Sequence, residues 1–132
     1  MRSRLRDERG ASAVEFAFVV PLLLLLVLGI AEFGRAFQVQ GTISAAAREG
    51  VRMMALQNDE AAARAAVRNA ADSLNPDITD GQIRFPEGDC TGATGASGQT
   101  VRLTIEYDMP FLTDFFGAEL TLRGTGVMRC NG

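Results

Sequence analysis

Apolar and polar positions follow three rhythms along this chain of 132 residues. The stretch Ala11 to Ala31, ASAVEFAFVVPLLLLLVLGIA, contains one charged residue, Glu15, and Leu22 to Leu28 contains no polar side chain. As a helix this run reaches about 31 Å, the thickness of a bilayer's hydrocarbon core, so it predicts a transmembrane helix. A domain of this size has no core wide enough to wrap such a helix on every face. Pro21 predicts a kink within it, which neighbouring groups in a membrane can accommodate. After Phe37 the period becomes helical. Ile43, Ala47, Gly50 or Val51, and Met54 form one face and Arg48, Glu49 and Arg52 lie on others, so the helix is expected to run on. Gly41 and Gly50 weaken it and mark bends or close approaches. Asn58 is the expected N-cap of a second helix with Asp59 and Glu60 in its first turn. Its apolar stripe is Ala63, Val67, Ala70 and Leu74, and Asn75-Pro76-Asp77 is expected to end it. Arg64 and Arg68, four apart, read as a solvated face rather than an anion site.

From there the period becomes two. Val101, Leu103, Ile105 and Tyr107 alternate with Arg102, Thr104 and Glu106, which predicts a half-buried strand. Leu120, Leu122 and Met128 predict another, loosened by Gly124 and Gly126, and Ile83 with Phe85 a third. The polar stretch DCTGATGASGQ, Asp89 to Gln99, reads as a hairpin loop. It lacks the Lys and the following helix that a phosphate-binding loop requires. Phe111, Leu112, Phe115 and Phe116 are expected to cap the sheet against the helices, the alternative being an exposed apolar patch. The resulting fold class is α+β: a long N-terminal transmembrane helix continuing into a helical region, then a small antiparallel sheet of about three strands.

Charge divides the chain as sharply as hydropathy does. All 13 basic residues are Arg, and the net charge is -3 with no His. The first ten residues carry Arg2, Arg4, Arg6 and Arg9 against Asp7 and Glu8, so they sum to +2 and the remainder to -5. The positive flank places residues 1–10 in the cytoplasm and the acidic remainder outside. The division expected is a basic leader over 1–10, a transmembrane helix over 11–37 and an extracytoplasmic α+β domain over 38–132. A removable signal peptide is the competing reading. Against it, no A-x-A site closes the apolar run, and helix-compatible sequence continues through Glu32 to Arg35.

Chemistry is narrowed by what is missing. Without His there is no imidazole catalysis and no common zinc site. A pI near 4.9 disfavours nucleic acid as a partner. Acidic loop residues such as Asp77, Asp80, Glu87 and Asp89 fit no Ca²⁺ loop, and no metal or cofactor site, small-molecule substrate or enzyme activity is expected. Cys90 and Cys130 both fall in the part predicted to lie outside, where an even count favours a disulfide, free thiols being the alternative.

Glu15 is the informative residue. A carboxylate in a membrane helix costs roughly 2.5–3.5 kcal/mol, so it calls for a partner. Cleavage after Gly10 would make Ala11 a new N-terminus, with Glu15 fifth along. The free amine of one subunit could then pair with the carboxylate of a neighbour. The alternative is a carboxylate resting at headgroup level. Small residues Ala13 and Ala17 permit close helix packing beside Phe16.

Arg9-Gly10-Ala11-Ser12-Ala13-Val14-Glu15-Phe16, followed by Pro21, the Leu run, Gly29, Glu32-Phe33-Gly34-Arg35 and Phe37, resembles the TadE-like family of pilin-like pseudopilins of the Tad system, which assembles Flp-type pili. The resemblance extends over Ile43 to Arg52 and, in pattern only, to a final strand at Leu120 to Met128. It implies a pilin-like fold and processing between Gly10 and Ala11 by a prepilin peptidase at the cytoplasmic face. It also implies partners among other pilin-like subunits and the Tad inner-membrane platform, and residence in the inner (plasma) membrane. The E-type and F-type members share this N-terminal pattern. The runner-up function is an uncleaved single-pass membrane protein whose outer domain binds another envelope partner.

Overall fold

The computed structural model describes residues 2–92, 98–112 and 117–130, with side chains from Glu8 onward. In chain order these form α1 (Arg2–Gln57), α2 (Glu60–Ala70), a 3-10 turn (Asp80–Gln82), β1 (Ile83–Arg84), β2 (Thr100–Pro110) and β3 (Glu119–Arg129). This is the α+β class expected, a long apolar helix followed by a second helix and a three-stranded antiparallel sheet. By contacts the chain divides into two compact units, residues 1–35 and 36–132.

In the first unit α1 carries apolar side chains all round. Phe16, Leu22 and Leu25 are each about 70% exposed, and the helical assignment continues through Pro21. The most apolar 18-residue window has a mean hydropathy of 2.7, and none of it is buried. A helix that is apolar on every face needs an apolar surrounding, and this one is long enough to cross a membrane.

The second unit has an ordinary core. Here the rest of α1 buries one stripe, Val39, Ile43, Ala46, Ala47, Gly50, Val51 and Met54, while Arg48, Glu49 and Arg52 stay exposed. The helix runs unbroken through Gly41 and Gly50, so neither ends it. Gly41 faces open space. Gly50 is the close approach, since a Cβ there would lie 2.4 Å from Val67 Cγ2 and 2.8 Å from Leu103 Cδ1.

The junction of the helices corrects one expectation. Asn58 does not cap α2. It takes a left-handed conformation (φ 47°) and donates its N–H to the Met54 carbonyl at 2.9 Å, which finishes α1. Asp59 is extended, and its Oδ1 accepts from the N–H groups of Ala61 at 2.9 Å and Ala62 at 3.2 Å. Asn is among the few residues that tolerate positive φ, so the pair divides the work. The expected α2 stripe also shifts: Ala70 is exposed and Ala71 is buried beside Ala63, Val67 and Leu74. The helix stops at Ala70, ahead of the Asn75-Pro76-Asp77 signal, and Ala71 donates to the Val67 carbonyl across its end.

The sheet order is β1-β2-β3, antiparallel throughout. On β2 the alternation holds, with Val101, Leu103, Ile105 and Tyr107 buried and Met109 extending the stripe. Tyr107 buries its ring and donates its hydroxyl to the Pro76 carbonyl at 2.8 Å. The third strand is only Ile83–Arg84, and Phe85 lies just past its end, half-buried.

Gly124 and Gly126 do not loosen β3, which pairs with β2 without interruption along its length. Both lie on the inward side, opposite Ile105 and Leu103. A Cβ on Gly124 would sit 2.5 Å from Ile43 Cγ2, and one on Gly126 would sit 2.6 Å from the Ala47 carbonyl oxygen. The two missing side chains form a notch that admits the backbone of α1. Close helix–sheet approach is the reason for glycine at these positions.

Candidate functional site

The proposed processing and association residues all lie on α1. Gly10, Ala11, Ala13, Glu15, Phe16 and Ala17 are helical and exposed. Ala11 and Glu15 are one turn apart, as are Ala13 and Ala17, so each pair shares a face of the helix. Nothing stands within 4 Å of the Cβ that Gly10 lacks. The site is therefore an accessible strip of helix, with a carboxylate and two small residues among apolar neighbours. It offers packing and charge pairing.

The second constellation sits where the strands meet the helix junction. Cys90 and Cys130 form a disulfide with a Cα–Cα distance of 5.6 Å, closing a separation of 40 residues. The Cys90 N–H donates to Asn58 Oδ1 at 2.8 Å, and the Cys130 N–H donates to the Gln99 carbonyl at 2.9 Å. Asn58 thus ends α1 with its backbone and holds the disulfide loop with its side chain. Beside it, the Thr91 hydroxyl and N–H both donate to the Asp89 carboxylate and hold its pKa below the ordinary value. The central residues 93–97 of the Gly-rich stretch lie outside the described residues.

Arg64 and Arg68 do more than solvate a face. Arg64 donates Nε to Glu60 Oε1 at 3.0 Å and a second nitrogen to the carbonyls of Asp80 at 2.5 Å and Ile83 at 2.9 Å. Its guanidinium lies 5.4 Å from the centroid of the Phe85 ring. Arg68 pairs with the Asp80 carboxylate. Together they strap the 3-10 turn and β1 to α2. The guanidinium of Arg64 is committed to these contacts, which accounts for its position without an anion. An open depression lined by Met54, Glu60, Arg64, Phe85 and Asp89 lies alongside. Among the described residues no three His, Cys, Asp or Glu side chains gather as metal ligands would.

Of the aromatic cluster, Phe111 is half-buried and Leu112 is 63% exposed, while Phe115 and Phe116 lie outside the described residues. Sequence reasoning missed the glycine notch, the double role of Asn58 and the Arg64 strap. The notch had a readable signal. Gly124 and Gly126 share the parity of Leu122 and Met128, so they belong to the inward face. The contacts of Asn58 and Arg64 connect residues far apart in sequence, and no local pattern announces them.

The strip on α1 lies in the part of the chain that matches a family model. The family model described as TadE-like protein matches residues 10–52. That stretch runs from Gly10 to Arg52, covering the apolar run, Glu15 and most of the buried stripe of α1. It is the family to which the residue pattern pointed, and the match ends before α2 and the sheet. No curated protein and no solved structure gives a significant match to the chain.

Proposed function

We propose that this chain is a membrane-anchored pseudopilin that takes part in assembling a Tad/Flp-type pilus, cleaved after Gly10 by a prepilin peptidase. The observation that carries the reading is a coincidence of extent. The TadE-like match over residues 10–52 begins at the proposed cleavage glycine and includes the whole exposed apolar run. TadE-like proteins are structural, non-enzymatic assembly components, which suits a site that offers packing and charge pairing alone.

The steps follow from the physical chemistry of the helix. The basic leader orients residues 1–10 to the cytoplasm, where the peptidase acts. Gly10 is the poorest helix former near the cut, about 1 kcal/mol worse than Ala, so local unwinding is cheapest there. Cleavage removes the +2 leader and exposes the Ala11 amine. In lipid, that cation on one subunit and the Glu15 carboxylate on the next neutralise one another, offsetting the cost of a carboxylate at that depth. Ala13 and Ala17 allow the helices to approach closely enough for the pair to form. Other pilin-like subunits and the inner-membrane platform are the partners this requires, with residues 38–132 facing outward.

The test is the intact mass and N-terminal residue of protein extracted from membranes of cells carrying the peptidase. A chain beginning at Ala11 is expected, and one beginning at Met1 would remove the processing step. Glu15→Ala is expected to leave membrane insertion intact and abolish piliation. Normal pili in that variant would refute the pairing role.

A further inference from the structure

We propose that the free edge of β3, from Thr125 to Arg129, is a docking site for an extended, acidic segment of a partner protein, which adds as a fourth strand. The first observation is the state of the backbone along that edge. The Cys130 N–H donates to the Gln99 carbonyl one step beyond the Thr100↔Arg129 pair, so even-numbered residues of β3 turn their polar groups toward β2. Odd-numbered residues therefore turn theirs away. Gln40 of α1 agrees with this parity, since its Nε2 reaches the Arg123 carbonyl from outside the ladder at 2.8 Å. That bond covers the edge at Arg123 only. At Thr125, Val127 and Arg129 the outward N–H and C=O groups have no partner among the described residues.

Natural proteins usually blunt such an edge with a bulge, a Pro or Lys, or a covering element. This one has no bulge, Pro or Lys, since the register is unbroken and the strand reads ELTLRGTGVMR, and its charges past Glu119, Arg123 and Arg129, are both basic. Val127 is 51% exposed beside the open groups. An edge of this kind takes an added strand through main-chain hydrogen bonds, with alternate side chains giving specificity.

The second observation sets the charge of the occupant. On the outward face Arg84 lies opposite Thr104, Arg102 opposite Val127, and Arg129 opposite Thr100. The three arginines make a diagonal across the sheet that ends at this stretch of edge. Arg102 is held by Glu87 at 3.1 Å, while Arg84 and Arg129 have no carboxylate partner among the described residues. The acids of the same face, Glu106, Asp108 and Glu119, lie toward the opposite end of the strands, where Arg123 and Thr121 already engage the first two. Neighbouring strands lie about 4.8 Å apart, so a strand added beside β3 stands about 5 Å from the strand of Arg129, about 10 Å from that of Arg102 and about 14 Å from that of Arg84. A carboxylate on the outward face of the added strand thus meets Arg129 directly, Arg102 adds a weaker attraction from one strand further in, and Arg84, two strands further in, is largely screened.

The test uses the full chain in nonionic detergent, titrated with the acetylated and amidated peptide Glu-Thr-Glu-Thr-Glu-Thr-Glu and with its Lys counterpart. The acidic peptide is expected to bind at least about tenfold tighter than the basic one, because like charge is repelled at this end of the face. It should slow amide hydrogen exchange at Thr125, Val127 and Arg129. Thr125→Pro removes an outward N–H and no ladder bond, so it should keep the thermal midpoint of the free protein and weaken binding about tenfold. Should that variant fail to fold, Arg129→Glu is expected to weaken binding by a similar factor while leaving the backbone untouched. Equal binding of the two peptides, no binding of either, or unchanged affinity in Arg129→Glu would overturn the proposal.

Discussion

The two stretches of α1 that belong to different compact units share a secondary structure and differ in how they treat water. Between Val14 and Ile30 the large apolar side chains are exposed around the whole circumference, Leu22 at 69% and Leu25 at 70% among them. Between Val39 and Met54 they form one stripe, with Ile43, Ala46 and Ala47 at 0%. Burial in protein needs only the side of a helix that faces its neighbours. Burial in lipid needs every side, because there is no aqueous face to satisfy. The difference teaches that the angular spread of apolar positions, more than their number, reports the medium. The sheet repeats the lesson at shorter range. β2 packs with large side chains at alternate positions, and β3 packs with none at Gly124 and Gly126, where the α1 backbone fills the space.

The comparison breaks most severely if the stretch that is apolar all round does not enter a membrane. Leu24→Arg combined with Leu25→Arg is expected to cost about 5–7 kcal/mol of insertion free energy and release the chain from carbonate-washed membranes. Retention of the double variant in the membrane would show that this run is not what holds the chain there.

Next in size is the clasp of the other half. Cys90→Ser with Cys130→Ser is expected to destabilise residues 36–132 by about 4 kcal/mol in the chain-entropy picture, given the separation of 40 residues. Urea unfolding followed by circular dichroism in detergent reads this. The signal from the strands should be lost at lower urea while the helical signal of the apolar run persists.

One substitution made at two glycines sharpens the contrast further. Gly126→Ala puts a Cβ 2.6 Å from a backbone oxygen, so it should destabilise by about 1–3 kcal/mol. Gly41→Ala meets nothing within 4 Å and should stabilise α1 by up to about 1 kcal/mol. Thermal midpoints shifting in the same direction would contradict the notch.

The helix junction supplies a smaller effect. Asp59→Ala removes the acceptor for the Ala61 and Ala62 amides and should cost about 1 kcal/mol, measurable as a lowered midpoint of residues 36–132.

The smallest effect is electrostatic. Because the Thr91 bonds lower the Asp89 pKa in the folded state, their stabilisation is present above the ordinary carboxyl pKa and lost as pH falls through the lowered value. Asp89→Asn should flatten that acid limb of the stability profile slightly, and leave stability at neutral pH only marginally lower.

Much of this molecule is legible in its sequence. The apolar run, the strand at Val101 to Tyr107, the α+β order and the pairing of Cys90 with Cys130 each follow from a local or compositional signal. Asn58 illustrates where local reading stops. Asn and Asp both cap helices well, and only the backbone path shows that the first of two adjacent candidates must turn left-handed to end α1, leaving the second to cap α2. The α2 stripe slipped by one residue, from Ala70 to Ala71, for a similar reason. The helix ends at Ala70, and past that point the periodicity of its interior no longer applies.

By itself, the sequence determined which segment is apolar all round and which on one face, because hydropathy acts residue by residue and accumulates along the chain. It determined the alternation of β2, because a period of two has one structural meaning. The Gly10–Glu15 spacing and the family pattern over residues 10–52 were also written there. Only the tertiary structure decided what the glycines of β3 are for, which arginine straps which turn, and which groups along the β3 edge have no partner among the described residues. Those depend on distances between residues tens of positions apart, and a missing side chain gains its meaning only from the backbone that occupies its place.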